Sequence, residues 1–192
     1  MKIIIAFVIL SLTVFSFVFA QNAENGGLYF HIVDEEETQA FNDFYNKNPS
    51  STFDDNGALI NPHIVSPDVI ILGLFDMGRQ KNNAMGNPDF AALRTGIRLD
   101  KNEITDVRVE KHMMSGEPIV TFYLSPEGGE LFFNHTLRNA GRLMAVVFEN
   151  QIRFIARITS PIRDAVTIQG FEEEETNRIA DLLRTVSPND VN

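Results

Sequence analysis

The chain has no cysteine and no tryptophan among its 192 residues. Without cysteine there is no disulfide, no thiol nucleophile and no thiolate-ligated zinc. A lipid attached through cysteine is excluded as well. Basic residues are scarce: 16 Lys and Arg stand against 26 Asp and Glu, for a formal net charge of −10. So acidic a chain is repelled by phosphate backbones and anionic lipid surfaces, and nucleic acid is excluded as an expected partner. Long apolar runs are also rare. Past the first twenty residues, none is long enough to span a bilayer. Stability must come from an apolar core in which phenylalanine, with 16 copies, is the main aromatic.

What is present begins with a leader. Residues 1–20 (MKIIIAFVILSLTVFSFVFA) carry one cation, Lys2, then an apolar run, and end on the small residue Ala20. That is the layout of a secretory signal peptide, with cleavage expected between Ala20 and Gln21. The other reading is a retained membrane anchor, since the run is almost long enough to cross a bilayer. The polar QNAENGG that follows favours cleavage. The mature chain is expected to be soluble in the periplasm, the cell envelope or the extracellular space, with no transmembrane anchor.

Leu28–Val33 (LYFHIV) is predicted as a buried strand. Asp34, three residues before Glu37, predicts a capping box and a helix bearing Ala40, Phe41, Phe44 and Tyr45 on one face. Residues 46–67 are broken by Pro49, Gly57, Pro62 and Pro67 and predict loop. Val69–Phe75 predicts a strand and 76–87 a polar loop; Phe90–Leu99 fits neither period. Further on, strands are predicted near 106–110, 118–124, 143–148, 152–158 and 165–169. Ser125 as N-cap with Pro126 at the first helical position predicts a helix over 126–138. Ile179, Leu182, Leu183 and Val186 are spaced for a helix over 172–185 packed on a sheet. The expected core comprises Phe122, Leu131, Leu143, Val146, Ile155, Ile179 and Leu183. Strand hairpins mixed with helices predict an α+β fold, an antiparallel sheet with helices on one face.

No constellation proposes a reaction. His31, His63, His112 and His135 lack ligand spacing. Asp54-Asp55-Asn56-Gly57 has only part of a calcium loop and predicts a polar turn. Ser125 is not in a G-x-S-x-G context, and capping accounts for it. Gly128-Gly129 could cradle an anion, but no lysine adjoins, and close helix packing accounts for the pair. Glu172–Glu175 predicts a solvated first turn that suits the helix dipole. Asn134-His135-Thr136 is formally a glycosylation acceptor on a predicted helix. The expectation is a protein that is not an enzyme, with no catalytic, cofactor-binding or metal residues.

Four segments carry a resemblance: EITDVRV (103–109), GEPIVTFYLSPEGGELF (116–132), NHTLRNAGRLMAVVFENQIRFIARI (134–158) and IQGFEEEETNRIADLLR (168–184). In this order and spacing they resemble the extracytoplasmic (P1) domain of SecD, the protein-export membrane subunit, in particular its head subdomain. GLYFHIVDEEE (27–37) and INPHIVSPDVIILGLFD (60–76) are similar to earlier strands of that domain. The resemblance implies a SecD P1-head-like fold with a ferredoxin-like layout. It divides the chain into a signal peptide (1–20), a base-like segment with long loops (21–102), the head-like domain (103–186) and a tail (187–192). SecD continues into transmembrane helices that hold its proton-conducting charges; none is expected after 186 here. The usual Asp-Gly turn is Glu149-Asn150, and the usual Thr or Ser cap of the last helix is Glu172.

Two functions follow as expectations. One is an exported module that binds other proteins in protein export or in handling translocated chains; its partners are Sec membrane components or unfolded exported chains. The other is a cell-envelope binding module that reuses the fold for an unrelated partner. Arg153, Arg157 and Arg163, basic residues in an acidic chain, are the candidate partner-binding rim. The alternative for them is simple solvated strand faces.

Overall fold

The computed structural model describes residues 28–55, 57–74, 89–169 and 171–184, apart from the Leu182 side chain. The expected leader, the polar loop over 76–87, Val186 and the tail lie outside the described residues. Elements run β1 (Leu28–Val33), α1 (Glu35–Lys47), β2 (Ile70–Gly73), β3 (Phe90–Leu99), β4 (Ile104–Lys111), β5 (Pro118–Leu124), α2 (Pro126–Arg138), β6 (Leu143–Phe148), β7 (Gln151–Arg157), β8 (Ala165–Gln169) and α3 (Glu173–Leu183).

The strands form a five-stranded sheet, β2-β3-β1-β6-β7, and a three-stranded sheet, β4-β5-β8. Every strand pair is antiparallel. The expected α+β class is present. So is the ferredoxin-like layout: β1, α1, β2, β3, α2 and β6 give β-α-β-β-α-β with strand order β2-β3-β1-β6. Its strands come from both sides of residue 103, and the β4–β5 hairpin is inserted between β3 and α2. Phe41 of α1 packs on Ile71 and Ala92. Phe132 of α2 meets the Phe30 ring edge-on at 4.9 Å. Strand register puts Phe30, Ile71 and Ala92 on one face of the five-stranded sheet, so both helices cover that face.

One apolar cluster joins this face to the second sheet: Leu28, Phe30, Leu99, Phe132 and Val146 pack with Val120, Phe122, Ile168, Ile179 and Leu183. The opposite face of the five-stranded sheet holds Val33, Leu93, Ala145, Val147, Ile152 and Ile155. The sheet curls enough that Leu74, just past β2, bridges Ile152 on the far edge strand.

Phe90–Leu99, ambiguous in the sequence, is one ten-residue strand. It pairs on both sides, which buries Ala91, Ala92 and Leu93 together and erases the alternation. Its register slips opposite His31, where a Cβ on Gly96 would lie 2.4 Å from the Phe30 carbonyl oxygen. Only glycine lets the two backbones approach so closely.

Leu131 is corrected: it is 40% exposed, not core. The buried face of α2 runs through Gly128, Gly129, Phe132 and Thr136. Leu131 sits about 100° around the helix from Phe132. The glycines fix that face. A Cβ on Gly128 would meet the Glu103 carbonyl oxygen at 2.3 Å, and one on Gly129 the Arg163 carbonyl oxygen at 2.5 Å. Phe122, Leu143, Val146, Ile155, Ile179 and Leu183 are all buried as expected. In α1, Ala40 is exposed and the polar Thr38 and Asn42 are buried instead. The Ala92 N–H donates to Thr38 Oγ1 at 2.9 Å, and Asn42 Oδ1 accepts the Phe90 N–H at 3.2 Å.

Candidate interaction surface

The three arginines singled out in the sequence go to three separate places. A register slip in the β6–β7 pair, between Val146↔Phe154 and Val147↔Ile152, leaves Arg153 as the extra residue of a bulge. Its side chain is only 5% exposed, with Nη1 2.7 Å from Glu175 and Nη2 3.7 Å from Glu149. Burial pushes its pKa down, against the pull of the two carboxylates. Arg178 reaches Glu149 at 2.9 Å, and both guanidiniums lie over the Phe148 ring. This ion-pair group fastens α3 to the β6–β7 turn. An exposed rim therefore does not include Arg153. Arg157 is half-exposed, bonds the Gly141 carbonyl and comes within 3.8 Å of Glu35 in α1. Arg163 is half-exposed, pairs with Glu130 of α2 at 2.7 Å and stands 4.2 Å over the Phe133 ring.

The β6–β7 turn carries positive φ at both Glu149 (50°) and Asn150 (59°), the hairpin conformation for which Asp-Gly is usual. Asn tolerates it. Glu149 is held there by its two arginine partners.

A second charged group was not singled out in the sequence. Arg94 of β3 takes Asp34 at 2.8 Å, Glu37 at 3.9 Å, and Asp68. Asp34 caps α1 by accepting the Glu37 N–H at 3.0 Å. That bond, then Arg94, holds its carboxyl below the usual range. The reciprocal half of the capping box does not form, because Glu37 accepts the Ser66 N–H at 3.2 Å and the Ser66 hydroxyl. The arginine thereby ties the 48–69 loop to the start of α1. No spacing rule links residues 34, 68 and 94, so only the fold reveals the group.

Ser125 accepts the Gly128 N–H at 3.1 Å, as its capping role requires. Asp54 accepts the Ala58 N–H at 2.8 Å in the polar turn. His31 and His135 are partly buried, and desolvation pushes both pKa values below the ordinary 6.5. His31 Nδ1 lies 2.9 Å from the Arg94 carbonyl oxygen. Among the described residues, no three or more His, Asp or Glu side chains are grouped to hold a metal ion. Also among them, no helix is long and apolar enough to cross a membrane.

The β4–β5 turn is the other missed feature. Met113 is 100% exposed and Met114 is 93% exposed. Two consecutive apolar residues where a turn normally carries polar ones were the available signal.

The two antiparallel sheets and three helices define an α+β module built around a ferredoxin-like core. Comparison with known proteins gives it a family. The family "SecDF, P1 head subdomain" matches residues 60–187. The protein translocase subunit SecD of Treponema pallidum (strain Nichols) is 32% identical over 162 residues, 83% of this chain and 27% of that protein. The protein translocase subunit SecD of Borreliella burgdorferi is 34% identical over 92 residues, 46% of this chain and 16% of that protein. A solved structure of SecDF, described as a membrane component that enhances protein export, is 22% identical with a TM-score of 0.49. It covers 83% of this chain and 62% of that one. The chain belongs to the SecDF P1 head subdomain family. It spans between 16% and 27% of the length of the curated relatives it matches.

Proposed function

We propose that this protein is an exported, non-enzymatic SecD-head-like module that binds other proteins, in connection with protein export or the handling of translocated chains. The observation that carries this reading is the family match over residues 60–187, together with a translocase-subunit relative aligned across 83% of the chain. Export rests on the leader-like residues 1–20, and the site of action is then the periplasm, the cell envelope or the extracellular space. On this reading the folded module supplies contact surface, and Arg157 and Arg163 lie on it. Each is already paired with a single exposed acid, an interaction weak enough to be exchanged for an acidic group on a partner.

The second reading is a cell-envelope binding module that reuses the SecD head fold for an unrelated partner. Fold alone does not choose between them. Titration of purified protein with unfolded secretory polypeptides and with solubilised Sec membranes decides. Saturable binding to either supports the export reading. Binding to neither, with capture of a different envelope component by crosslinking, overturns it in favour of the second. Mass spectrometry of the exported protein should give an N-terminus at Gln21, and an intact Met1 in the cytoplasm would overturn export.

A further inference from the structure

The edge of a sheet exposes backbone N–H and C=O groups that can pair with another strand, and folds blunt their edges against this. The edge strands here are β2 and β7 of one sheet and β4 and β8 of the other. β2 and β7 are joined by the Leu74–Ile152 bridge, and β7 carries its bulge at Arg153. β4 has a bulge between Ile104 and Asp106 and bears Asp106, Arg108, Glu110 and Lys111. β8 has none of these devices. Its residues, Ala165-Val166-Thr167-Ile168-Gln169, include no charge, proline or glycine, and its register on β5 is unbroken.

That register fixes which backbone groups stay open. The Leu124 N–H donates to the Asp164 carbonyl at 2.9 Å, so Leu124 and Asp164 are a hydrogen-bonded pair of the antiparallel ladder. Such pairs alternate with pairs that exchange no bond. Phe122↔Val166 and Val120↔Ile168 are therefore bonded, while Ala165, Thr167 and Gln169 turn their N–H and C=O groups away from β5. Among the described residues, no strand lies beyond β8 to receive them. The Thr167 and Gln169 side chains are exposed.

An antiparallel copy of β8 fits this open row. About a two-fold axis at Thr167, Thr167 opposes itself and Ala165 opposes Gln169, so each outward-facing residue meets another. Each of these pairs can exchange two hydrogen bonds. The side chains match as well. The Thr121 and Thr167 hydroxyls lie 2.9 Å apart, and pairing at Thr167 carries this threonine ladder into the second copy. Between the bonded pairs Val166 opposes Ile168, both β-branched. Within the strand no like charges are set opposite each other, which matters in a chain of net charge −10. An arbitrary extended segment would supply the backbone bonds without this side-chain match.

We propose that β8 is a self-association edge: two copies of this chain pair antiparallel through Ala165–Gln169 and join their three-stranded sheets into one. The pairing does not depend on the export reading. Contact along one strand is small, so the dimer is reversible, micromolar or weaker. Net charge opposes the approach of two copies, so added salt strengthens the dimer.

The test is sedimentation of the purified protein over a range of protein and salt concentrations. The expected result is a monomer–dimer equilibrium that shifts toward dimer as either rises. Thr167→Lys and Thr167→Glu each set like charges opposite at the axis and should weaken dimerisation at least about tenfold. Mixing the two variants should restore it, because only a register in which position 167 opposes itself brings the two new charges together. Thr167 is exposed, so both variants should fold, and unchanged melting at low concentration checks this. With no cysteine in the chain, Thr167→Cys supplies a single thiol. Bonded antiparallel partners stand about 5.5 Å apart between Cα atoms, within reach of a disulfide. Mild oxidation should therefore trap a covalent dimer faster in Thr167→Cys than in Ser115→Cys at the exposed β4–β5 turn. Three results overturn the proposal: a monomer at every concentration, no rescue on mixing, or equal cross-linking of the two cysteine variants. If Thr167→Cys cross-links only to an added unfolded polypeptide that carries a cysteine, the edge accepts a foreign strand and self-association is wrong.

Discussion

The two sheets bury their strands differently, and the difference decides what each strand looks like in sequence. The three-stranded sheet has one buried face. Along β4, past the bulge between Ile104 and Asp106, Val107 is buried and Val109 half-buried while Asp106, Arg108 and Glu110 are exposed; along β8, Val166 and Ile168 alternate with the exposed Thr167 and Gln169. Period-two patterning follows directly. The five-stranded sheet is buried on both faces, one under helices and the second sheet, the other within its own curl. All six residues of β6 are buried, and its sequence, LMAVVF, has no alternation. Antiparallel strands usually keep one wet face; these behave like the strands of a parallel sheet covered on both sides.

The place where the two sheets and α2 meet should be the most sensitive to substitution. Phe132 is fully buried and touches Phe30, which itself lies 6.2 Å from Phe122 of the second sheet. Phe132→Ala should cost about 3–5 kcal/mol in chemical denaturation. Leu131→Ala, one position away and 40% exposed, should cost far less. Similar losses at the two positions would mean that α2 presents a different face. If the two sheets melt separately in Phe132→Ala while the parent unfolds in one step, this cluster is what makes them cooperative.

That contrast shows where sequence reasoning holds. Strands β4, β5 and β8 and the ends of α2 follow from alternation, the Ser125 cap and the Pro126 start. Strands β1 and β6 are legible as apolar runs, yet such runs carry no information about neighbours. Nothing in LYFHIV states that it would lie between β3 and β6. Strand β3 escaped because its bulge at Gly96 shifts the register midway and two-sided pairing removes the period. Leu131 was misplaced for another reason: the buried face of α2 is set by glycines meeting backbone, and a hydrophobicity count does not weigh glycine. The family was legible from motif order. The Arg94 group was not, because its acids are 26 to 60 residues away in sequence.

Next in size is the ion-pair group between the sheets. Arg153 leaves the five-stranded sheet at its bulge and meets Glu175 at the start of α3, the helix that packs on β4 and β5. Removing one partner of a buried pair strands the other. Glu175 is 11% exposed, and Arg178, 4.0 Å away, partly compensates it. Arg153→Met should therefore cost about 3 kcal/mol, the low end for a buried pair. Arg153→Met with Glu175→Leu should recover much of that loss in a double-mutant cycle. No recovery would show that Arg153 acts through its contacts with Phe148 instead.

Acid should act on the five-stranded sheet before the three-stranded one. His31 lies within β1, stacked on Tyr29 at 6.0 Å, and burial lowers its pKa below the ordinary 6.5. His135 of α2 is lowered for the same first reason, with the charge of His31 adding to it. Both groups bind protons more readily in the unfolded chain than in the folded one. Stability should be full above about pH 6.5 and fall as pH drops through 6.5 toward the folded values. Urea midpoints at pH 7.5 and 5.5 measure the fall, and His31→Gln should flatten it. A midpoint that rises on acidification would reverse the sign and exclude neutral, buried imidazoles in the folded state.

The smallest effect should come from Arg163, and it separates attachment from decoration. Its partner Glu130 is 58% exposed and its own side chain 47% exposed. Exposed ion pairs contribute roughly 0–1 kcal/mol and are screened by salt. The Phe133 ring beneath the guanidinium, 4.2 Å away, adds a contact that salt screens less. Arg163→Lys keeps the charge but loses the flat stack, whereas Glu130→Gln keeps the stack and removes the charge. Arg163→Ala should thus cost under about 1 kcal/mol, with most of the loss persisting in high salt. Glu130→Gln should have an effect that vanishes there. A large, salt-independent loss in Glu130→Gln would place this pair with Arg153 as part of the fastening between elements. Arg163 would then no longer be a free candidate for contact with a partner.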